Sequence, residues 1–366
     1  MKKIVFTGGG TLGHVMPNLY LINELSDYEI HYIGGNGIEK QKLKDFNVKY
    51  HEIPTTKLVR GKFFVNLKIP FVLIKAIRQS KKILKEIKPD VVFSKGGYVS
   101  LPVCLAARKL KIPIIAHESD YSFGLANRII LKLCTTMCVN FKNLESKNRI
   151  ESSNTSSSAQ SGRKNKIVYT GPVLGKNFEN SQKDYSKLNI DKSKQTILIV
   201  GGSLGSQIIN QNIYPILNDL LKDFNIIHIT GKGNNKIKSY DSYISMEMTD
   251  NIVNLYNIAD IVIGRAGAGV TAECYYKQLP MILIPLENGS SRGDQLQNAK
   301  YYTNQGVATI LQEKDLTPTN LLSTVKNFSS NLNKYSQNYF NTNKINGREK
   351  IIQMIRSASN SNQTKQ

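Results

Sequence analysis

The chain begins the same structural design twice, and this repeat constrains its fold more than any other feature. An apolar strand at residues 3–7 leads into the glycine loop of residues 8–13, and a helix is expected to begin near Pro17. About 190 residues later, an apolar strand at 196–200 leads into the glycine loop 201–206 and another helix. Because 366 residues are many for one domain, the repeat predicts an α/β protein of two doubly wound domains facing each other.

A β-turn-α-β pattern in the C-terminal half carries a candidate ligand site. Apolar residues 261–264 predict a buried parallel strand, and small residues at 265–269 predict a turn before a helix. Glycine lets a ligand approach the backbone closely, and a helix N-terminus offers N–H donors to an anion. Glu273, early in this helix, could accept hydrogen bonds from a ribose diol. On these residues alone, an ordinary tight loop with an acidic first helical turn remains an open interpretation.

Polar residues also follow two strands of the N-terminal half. His14 lies in the first glycine loop, and Glu118 and Asp120 follow a predicted strand at 112–116. Because ligands bind at this edge of open α/β sheets, His14 is a candidate general base, with Glu118 or Asp120 as alternatives. The glycine spacing fits a dinucleotide fingerprint, but residues 33–35 lack the acidic residue that would hold a ribose. This argues against NAD and leaves a loop for a phosphate or a sugar.

Positive charge is concentrated in the N-terminal half. The formal net charge is +22, and residues 1–165 hold 27 Lys and Arg against 12 Asp and Glu, a net charge of +15. Such an excess suits an anionic membrane surface, a phosphorylated substrate or a nucleic acid. Nucleic acid is the least favoured of these, because few aromatic residues lie among the basic ones and no RNA- or DNA-binding motif is present.

One basic segment, residues 57–88, has two possible interpretations. It holds ten basic residues and one acid, and apolar residues recur at helical spacing along one face. Another face combines an aromatic ring with cations: Phe71, Lys75, Arg78, Lys82 and Lys85. The segment is either a core-packing helix with a solvated basic side or a membrane-surface patch, where each cation contributes about 1 kcal/mol near an anionic leaflet.

Other sequence features argue against a metal site, disulfide bonds and a membrane-spanning helix. The four cysteines, of which Cys134 and Cys138 lie in an apolar helix-like run, complete no zinc-binding pattern and are expected to be reduced core thiols of a cytoplasmic protein. No run of about 18 apolar residues predicts a membrane span, and the N-terminal apolar run is too short for a signal peptide. The absence of an Asp-x-Asp pair, a common cation holder in sugar-nucleotide enzymes, leads us to expect neither metal nor cofactor.

Seven motifs, in a fixed order over about 300 residues, resemble a known family. They are GGTLGHVMP at 9–17, SKGGYVS at 94–100, HESD at 117–120 with GLAN at 124–127, TGPV at 170–173, GGSLGSQIIN at 201–210, RAGAGVTAE at 265–273 and SRGDQLQNA at 291–299. With them the chain resembles the UDP-N-acetylglucosamine:lipid I N-acetylglucosaminyltransferases of peptidoglycan synthesis. That family has the GT-B fold, in which two Rossmann-like domains face a central cleft.

The resemblance implies a reaction and a site. It implies inverting transfer of N-acetylglucosamine from UDP-N-acetylglucosamine to the 4-hydroxyl of the muramyl sugar in undecaprenyl-pyrophosphoryl-MurNAc-pentapeptide, at the cytoplasmic side of the cell membrane. His14 is the preferred base. The implied donor residues are Ser203, Arg265, Gly267, Ala268, Gly269, Val270, Thr271, Glu273 and Gln295. The implied acceptor-side residues are Thr11, Leu12, Gly13, Asp120 and Asn127. Another GT-B lipid glycosyltransferase and a UDP-sugar epimerase remain alternatives.

Two departures from the family pattern affect the acceptor side. Leu12 stands where the family usually has glycine, and Leu174 stands where it has arginine, so one expected charge contact is missing. The predicted organisation places an acceptor- and membrane-binding domain at 1–175 and a UDP-sugar-binding domain at 176–342. A helix at 343–357 is expected to pack back on the N-terminal domain, before a disordered tail at 358–366.

Overall fold

The computed structural model describes residues 1–57, 66–146, 166–186, 188–202, 205–287, 293–340 and 342–363. The chain divides into two compact units. The first comprises Met1–Gly175 together with Ile345–Gln366, and the second is Lys176–Lys344. Each unit has its own parallel sheet and its own hydrophobic core. The prediction of two doubly wound α/β domains is therefore confirmed.

Within the described residues, the first unit is built on a parallel sheet with the strand order β3-β2-β1-β4-β5-β6-β7. The strands are β1 Lys2–Thr7, β2 Tyr28–Gly34, β3 Lys49–Glu52, β4 Val91–Ser94, β5 Ile114–Glu118, β6 Thr136–Val139 and β7 Lys166–Tyr169. Thr7 lies opposite both Ile33 and Ser94, so the carboxyl ends of three strands meet. The strand order reverses at β1, which opens a crevice beside the first glycine loop.

Helices cover both faces of this sheet because its strands are apolar on both sides. They are α1 Leu12–Ile22, α2 Ile38–Lys42, α3 Ile69–Ile87, α4 Ser100–Lys109 and α5 Leu125–Leu131. One face packs on α1, and the other packs on α3, α4 and α5. The run around Cys134 and Cys138 is not a helix: Cys134 follows α5 and Cys138 lies in β6. All four cysteines are buried free thiols.

The second unit repeats the design, with the strand order β10-β9-β8-β11-β12-β13 among its described residues. The strands are β8 Gln195–Val200, β9 Phe224–Ile229, β10 Tyr243–Met246, β11 Ile261–Gly264, β12 Met281–Leu283 and β13 Ala308–Ile310. The helices are α6 Gln207–Ile213, α7 Leu217–Asp223, α8 Ile252–Ile258, α9 Ala268–Tyr276, α10 Asp294–Asn304, α11 Pro318–Ser330 and α12 Leu332–Gln337. Gly264 lies opposite Val200, which places both glycine loops of this unit at one sheet edge.

The last helix, α13, spans Arg348–Gln363 and belongs to the first unit. Ile351 and Ile355 are fully buried in the core beside α1. The predicted disordered tail at 358–366 is wrong for most of its length, because the helix continues through Gln363. Ser359 is buried and accepts a hydrogen bond from Tyr28 at 3.1 Å, and Lys2 donates to the side chain of Asn360, so specific polar contacts help to hold this polar sequence.

Helix α1 also differs from its prediction. It begins at Leu12, and Pro17 lies inside it rather than at its start. Proline removes one backbone donor from the helix, but the helix is still anchored by the buried residues Val15, Leu19 and Ile22. His14 therefore projects from the first helical turn rather than from the glycine loop.

Helix α3 combines the two interpretations of the basic segment. Ala76, Leu84 and Ile87 are buried, whereas Phe71 is 76% and Ile74 48% exposed. Residues 58–65 of the same segment lie outside the described residues. Among the described residues, no helix is both long enough and apolar enough to cross a membrane.

Candidate active site

The turn after β11 opens a backbone surface to ligand. Gly264 packs tightly, since a Cβ there would lie 2.5 Å from the Val200 carbonyl oxygen. Gly267 and Gly269, at the beginning of α9, border open space, because a Cβ added at either would meet no heavy atom within 4 Å. Ala268 and Val270 are partly exposed. The N-terminal N–H groups of a nine-residue helix are thus accessible at the sheet edge where anions bind.

Glu273 lies in the second turn of α9 and is partly buried. Its Oε2 accepts a hydrogen bond from the Tyr256 hydroxyl at 2.9 Å. Burial raises the pKa of this carboxyl to about 7, and the Tyr256 hydrogen bond acts in the opposite direction. Once ionised, the carboxylate retains acceptor capacity for a diol.

Arg265, predicted to approach the nucleotide, has protein partners within the second unit. Its guanidinium forms an ion pair with Glu313 at 2.6 Å and donates to the Ile284 carbonyl oxygen at 3.1 Å. Both side chains of the ion pair are largely buried. Arg265 therefore connects the end of β11 to the segments that follow β12 and β13. These contacts use guanidinium N–H groups that were expected to face the nucleotide.

Two other residues predicted to contact the sugar nucleotide form hydrogen bonds within the protein. Thr271, predicted to approach the nucleotide, is fully buried, and its hydroxyl donates to the Gly267 carbonyl oxygen at 3.0 Å. Gln295 is partly exposed at the start of α10, and its side-chain oxygen accepts the Leu286 N–H at 2.9 Å. A sugar at this position would be met by the amide N–H groups of Gln295. Ser203 lies outside the described residues.

In the first unit, His14 lies between two loops. Its Nδ1 is 2.9 Å from the Thr11 hydroxyl oxygen, one turn earlier in the chain. The loop after β4 lies opposite, because a Cβ at Gly97 would be 3.7 Å from His14 Nε2. If Nδ1 carries the proton and donates to Thr11, Nε2 is the basic nitrogen. Leu12 is partly exposed and Gly13 is exposed, beside His14.

The loop bearing Asp120 is organised by a buried carboxylate. Glu118, 5% exposed, accepts hydrogen bonds from the Asp120 N–H at 3.0 Å, the Gly124 N–H at 3.0 Å and Asn127 Nδ2 at 2.9 Å. Asn127 is itself buried and packs against Gly96 of the loop after β4. Glu118 and Asn127 thus hold the loops together, while Asp120 stays partly exposed.

Two buried charged residues of this site were missed from the sequence. Lys95 is 1% exposed and donates to the Ser119 hydroxyl, and burial lowers the pKa of its ammonium to about 8. Glu39 is also 1% exposed and accepts the N–H groups of Gly10 at 3.2 Å and Gly35 at 3.0 Å. Lys95 belongs to a recognised motif, whereas nothing in the local sequence distinguishes Glu39 from a surface helical residue.

Comparisons with known proteins match both units. Residues 4–139 match the glycosyltransferase family 28 N-terminal domain, and residues 196–355 match the corresponding C-terminal domain. A UDP-N-acetylglucosamine--N-acetylmuramyl-(pentapeptide) pyrophosphoryl-undecaprenol N-acetylglucosamine transferase of Clostridium botulinum is 42% identical over 361 residues, which cover 96% of this chain and 97% of the relative. The chain belongs to this family of glycosyltransferases.

Further members of the family support the assignment. The transferase of the same name from Clostridium kluyveri is 42% identical and covers 92% of this chain and 93% of its own. The crystal structure of Acinetobacter baumannii MurG aligns with a TM-score of 0.73 at 25% identity, over 98% of this chain and all of that one. The protein is thus a glycosyltransferase built from two family 28 domains. Among the described residues, no three His, Cys, Asp or Glu side chains converge to hold a metal ion.

Proposed function

We propose that this protein transfers N-acetylglucosamine from UDP-N-acetylglucosamine to the 4-hydroxyl of the muramyl sugar in undecaprenyl-pyrophosphoryl-MurNAc-pentapeptide, converting lipid I to lipid II in peptidoglycan synthesis. The observation that carries the proposal is the 42% identity, over nearly the whole chain, to a transferase named for this acceptor. The open helix N-terminus at Gly267 and the carboxylate of Glu273 are chemically suited to a nucleoside diphosphate.

In the donor half, Glu273 accepts hydrogen bonds from the ribose hydroxyls, and the N-terminus of α9 and the glycine loop 201–206 approach the diphosphate. These groups stabilise negative charge on the departing UDP. Arg265 contributes by holding the turn in place, since its two terminal guanidinium nitrogens contact Glu313 and the Ile284 carbonyl oxygen. Gln295 contacts the sugar through its amide.

In the acceptor half, His14 acts as the general base. Its Nε2 takes the proton of the muramyl 4-hydroxyl while the oxygen attacks the anomeric carbon from the face opposite UDP. The bond from the anomeric carbon to the diphosphate breaks, its electron pair passes to UDP, and the configuration inverts. The hydrogen bond with Thr11 orients the ring, and Asp120 with the exposed backbone at Leu12 and Gly13 lines the acceptor side.

A lipid-linked acceptor requires contact with a membrane surface. Helix α3 offers exposed Phe71 and Ile74 beside exposed Lys75 and Arg78. Apolar groups at the headgroup boundary and cations near anionic lipids favour reversible, peripheral binding. We assign this surface to the cytoplasmic side of the cell membrane, where a nucleotide sugar is available to the enzyme.

Transfer of labelled N-acetylglucosamine to a lipid I analogue tests the proposal. Wild-type protein should form the disaccharide product with inverted configuration, and EDTA should leave the rate unchanged. The substitution His14→Ala should lower kcat by roughly 100-fold to 10,000-fold, because general base catalysis contributes about that much, with little change in KM for the donor. Glu273→Gln should instead raise the donor KM and leave the acceptor KM unchanged.

Two results would count against these assignments. Full turnover by the His14→Ala variant would remove His14 as the base. The wild-type protein could also fail to glycosylate the lipid I analogue and instead hydrolyse UDP-N-acetylglucosamine or transfer its sugar to another lipid. That result would reject the proposed acceptor but would leave the proposed donor site in place.

A further inference from the structure

Tyr256 lies outside the seven family motifs, yet it contacts the predicted donor site directly. It belongs to α8 and is only 1% exposed. Its hydroxyl donates to Glu273 Oε2 at 2.9 Å. Its ring lies 6.4 Å from the ring of Phe178, measured between centroids, in a tilted arrangement. A buried phenol held by ring packing thus fixes one oxygen of the Glu273 carboxylate.

This contact restricts the carboxylate more than helix α9 alone would. A glutamate side chain has three rotatable bonds and loses about 1.5–2 kcal/mol of conformational freedom when it is ordered. The phenol orders Glu273 before any ligand arrives, because the bond is made within the protein. An ionised carboxylate has about four lone-pair sites, so a single phenol donor leaves capacity for a vicinal diol.

We propose that Tyr256 is a positioning residue for nucleotide-sugar binding, which orients the Glu273 carboxylate to accept the ribose hydroxyls. The inference rests on the proposed function, in which Glu273 meets the ribose. It adds a residue on a neighbouring helix that acts through Glu273 without touching the substrate.

The electrostatic environment gives the contact a measurable signature. Burial raises the pKa of Glu273 to about 7, and the Tyr256 hydrogen bond lowers it from the value that burial alone would impose. Among the described residues, Cys274 also interacts electrostatically with this carboxyl, and burial raises the pKa of both Cys274 and Tyr256 well above their usual values. Both neighbours are therefore neutral near pH 7, so the phenol hydroxyl is the group that favours the ionised form of Glu273.

Donor binding should depend on pH through this carboxyl. As the pH falls through about 7, Glu273 takes up a proton, loses acceptor capacity and binds the donor more weakly. Replacing Tyr256 by Phe keeps the ring and removes the hydroxyl that donates the hydrogen bond to Glu273, so the pKa of Glu273 rises further. As the pH is lowered, the donor KM of the variant should therefore begin to rise at a higher pH than in the wild type.

The experiment is steady-state kinetics of the full chain from pH 6 to 9, with UDP-N-acetylglucosamine and the lipid I analogue varied separately. Tyr256→Phe should raise the donor KM about 10-fold at pH 7.5, in keeping with loss of a hydrogen bond to a charged group. Its kcat at saturating donor and its acceptor KM should change less than twofold. The difference in donor KM between the variant and the wild type should narrow as the pH rises, and the part that remains reflects the lost orientation of the carboxylate.

A matched control is Tyr243→Phe. Tyr243 is also fully buried in the second unit, and its hydroxyl bonds to His228 at 3.2 Å, away from Glu273. This variant should lose some stability but keep the wild-type pH profile of the donor KM. Thermal unfolding of both variants checks that each is folded at the assay temperature.

The possible outcomes distinguish a failure of the inference about Tyr256 from a failure of the proposed function on which it rests. If Glu273→Gln weakens donor binding while Tyr256→Phe keeps the wild-type KM and pH profile, the positioning role of Tyr256 is overturned. If neither substitution affects donor binding, the ribose role of Glu273 fails as well. If Tyr243→Phe shifts the profile as much as Tyr256→Phe does, the effect is general loosening of the unit and the inference is also overturned.

Discussion

Glu39 shows how a single buried side chain can organise the loop that leads to the proposed base, His14. Its carboxylate accepts N–H groups from Gly10 and Gly35, and Cβ atoms at Gly9 and Gly37 would lie 2.5 Å and 2.8 Å from the nearest carboxylate atoms. Only glycine leaves room for the carboxylate there. Glu39 thus joins the ends of β1 and β2 beneath the loop that leads to His14.

Glu39→Ala should both destabilise the protein and slow catalysis. It leaves the buried N–H of Gly35 without an acceptor, at about 1–3 kcal/mol, whereas the N–H of the exposed Gly10 can bond to water instead, so we expect a loss of about 1–3 kcal/mol in the free energy of unfolding. It also releases the loop before α1, so kcat should fall at least 10-fold while the donor KM is kept. Chemical denaturation and transfer kinetics measure the two effects.

The matched control is Lys40→Ala on the same short helix. Lys40 forms an exposed ion pair with Glu52 at 2.7 Å, and such pairs contribute little to stability. This variant should behave as the wild type in both assays. A Glu39→Ala variant with unchanged kcat would show that the loop holds its shape without the carboxylate.

The sequence predicts the residue types at the site better than their roles. The positions of Gly267, Glu273 and His14 follow from glycine loops at strand ends, a pattern that local sequence carries. The partner of Arg265 could not be predicted, because only tertiary packing brings Glu313 to it. The Thr271 hydroxyl bonds locally to Gly267, but its complete burial also depends on tertiary packing. Glu39 was missed for the same reason.

At the scale of elements, prediction succeeds for most strands that are buried on both faces, although β6 was expected to be helix-like. Residues 91–93 and 261–264 are continuous apolar runs, and both lie in strands of the structure. The edge strands β3 and β10 went unpredicted, since their sequences KYHE and YISM mix polar and apolar residues. Helix α13 was predicted too short, because a serine- and asparagine-rich end gives no sign that Ser359 is buried.

Helix α3 carries a prediction at this scale. The triple substitution Lys75→Glu, Arg78→Glu and Lys82→Glu should weaken binding to anionic vesicles at least 100-fold, because each cation near such a surface contributes about 1 kcal/mol. Vesicle co-sedimentation measures the change. Since the buried face of the helix is untouched, turnover of a detergent-solubilised acceptor should remain.

The control places the same charge change on the second unit. Lys232, Lys236 and Lys238 are exposed there, and their triple substitution by Glu alters the net charge equally. If this variant lost vesicle binding as completely as the α3 variant, the attraction would come from overall charge and not from the α3 surface.

At the scale of the whole molecule, both units bury neutral histidines. His31 and His117 of the first unit and His228 of the second are at most 5% exposed, and His51 packs against His31 with ring nitrogens 2.9 Å apart. Burial is the main cause that lowers the pKa of each, to about 4 for His228. On unfolding, all four recover a pKa near 6.5 and bind protons that the folded chain excludes.

Stability should therefore fall as the pH drops below about 6.5. Where the unfolded state binds more protons, the free energy of unfolding decreases with decreasing pH. Glu273 has the opposite effect on the pH dependence of stability, because its folded pKa of about 7 lies above the unfolded value. It accounts for one proton, whereas the histidines account for as many as four. The histidine contribution is fully present above pH 6.5 and is lost on acidification.

Denaturant unfolding at pH 7.5 and pH 5.5, followed by far-ultraviolet circular dichroism because the chain has no tryptophan, tests this balance. The midpoint should be lower at pH 5.5, and the double substitution His31→Gln, His51→Gln should reduce the difference between the two midpoints. His228→Gln should reduce it through the second unit alone, so the three histidine changes together should reduce it further. Equal midpoints at the two pH values in the wild-type protein would contradict the prediction, because the folded chain would then take up as many protons as the unfolded one.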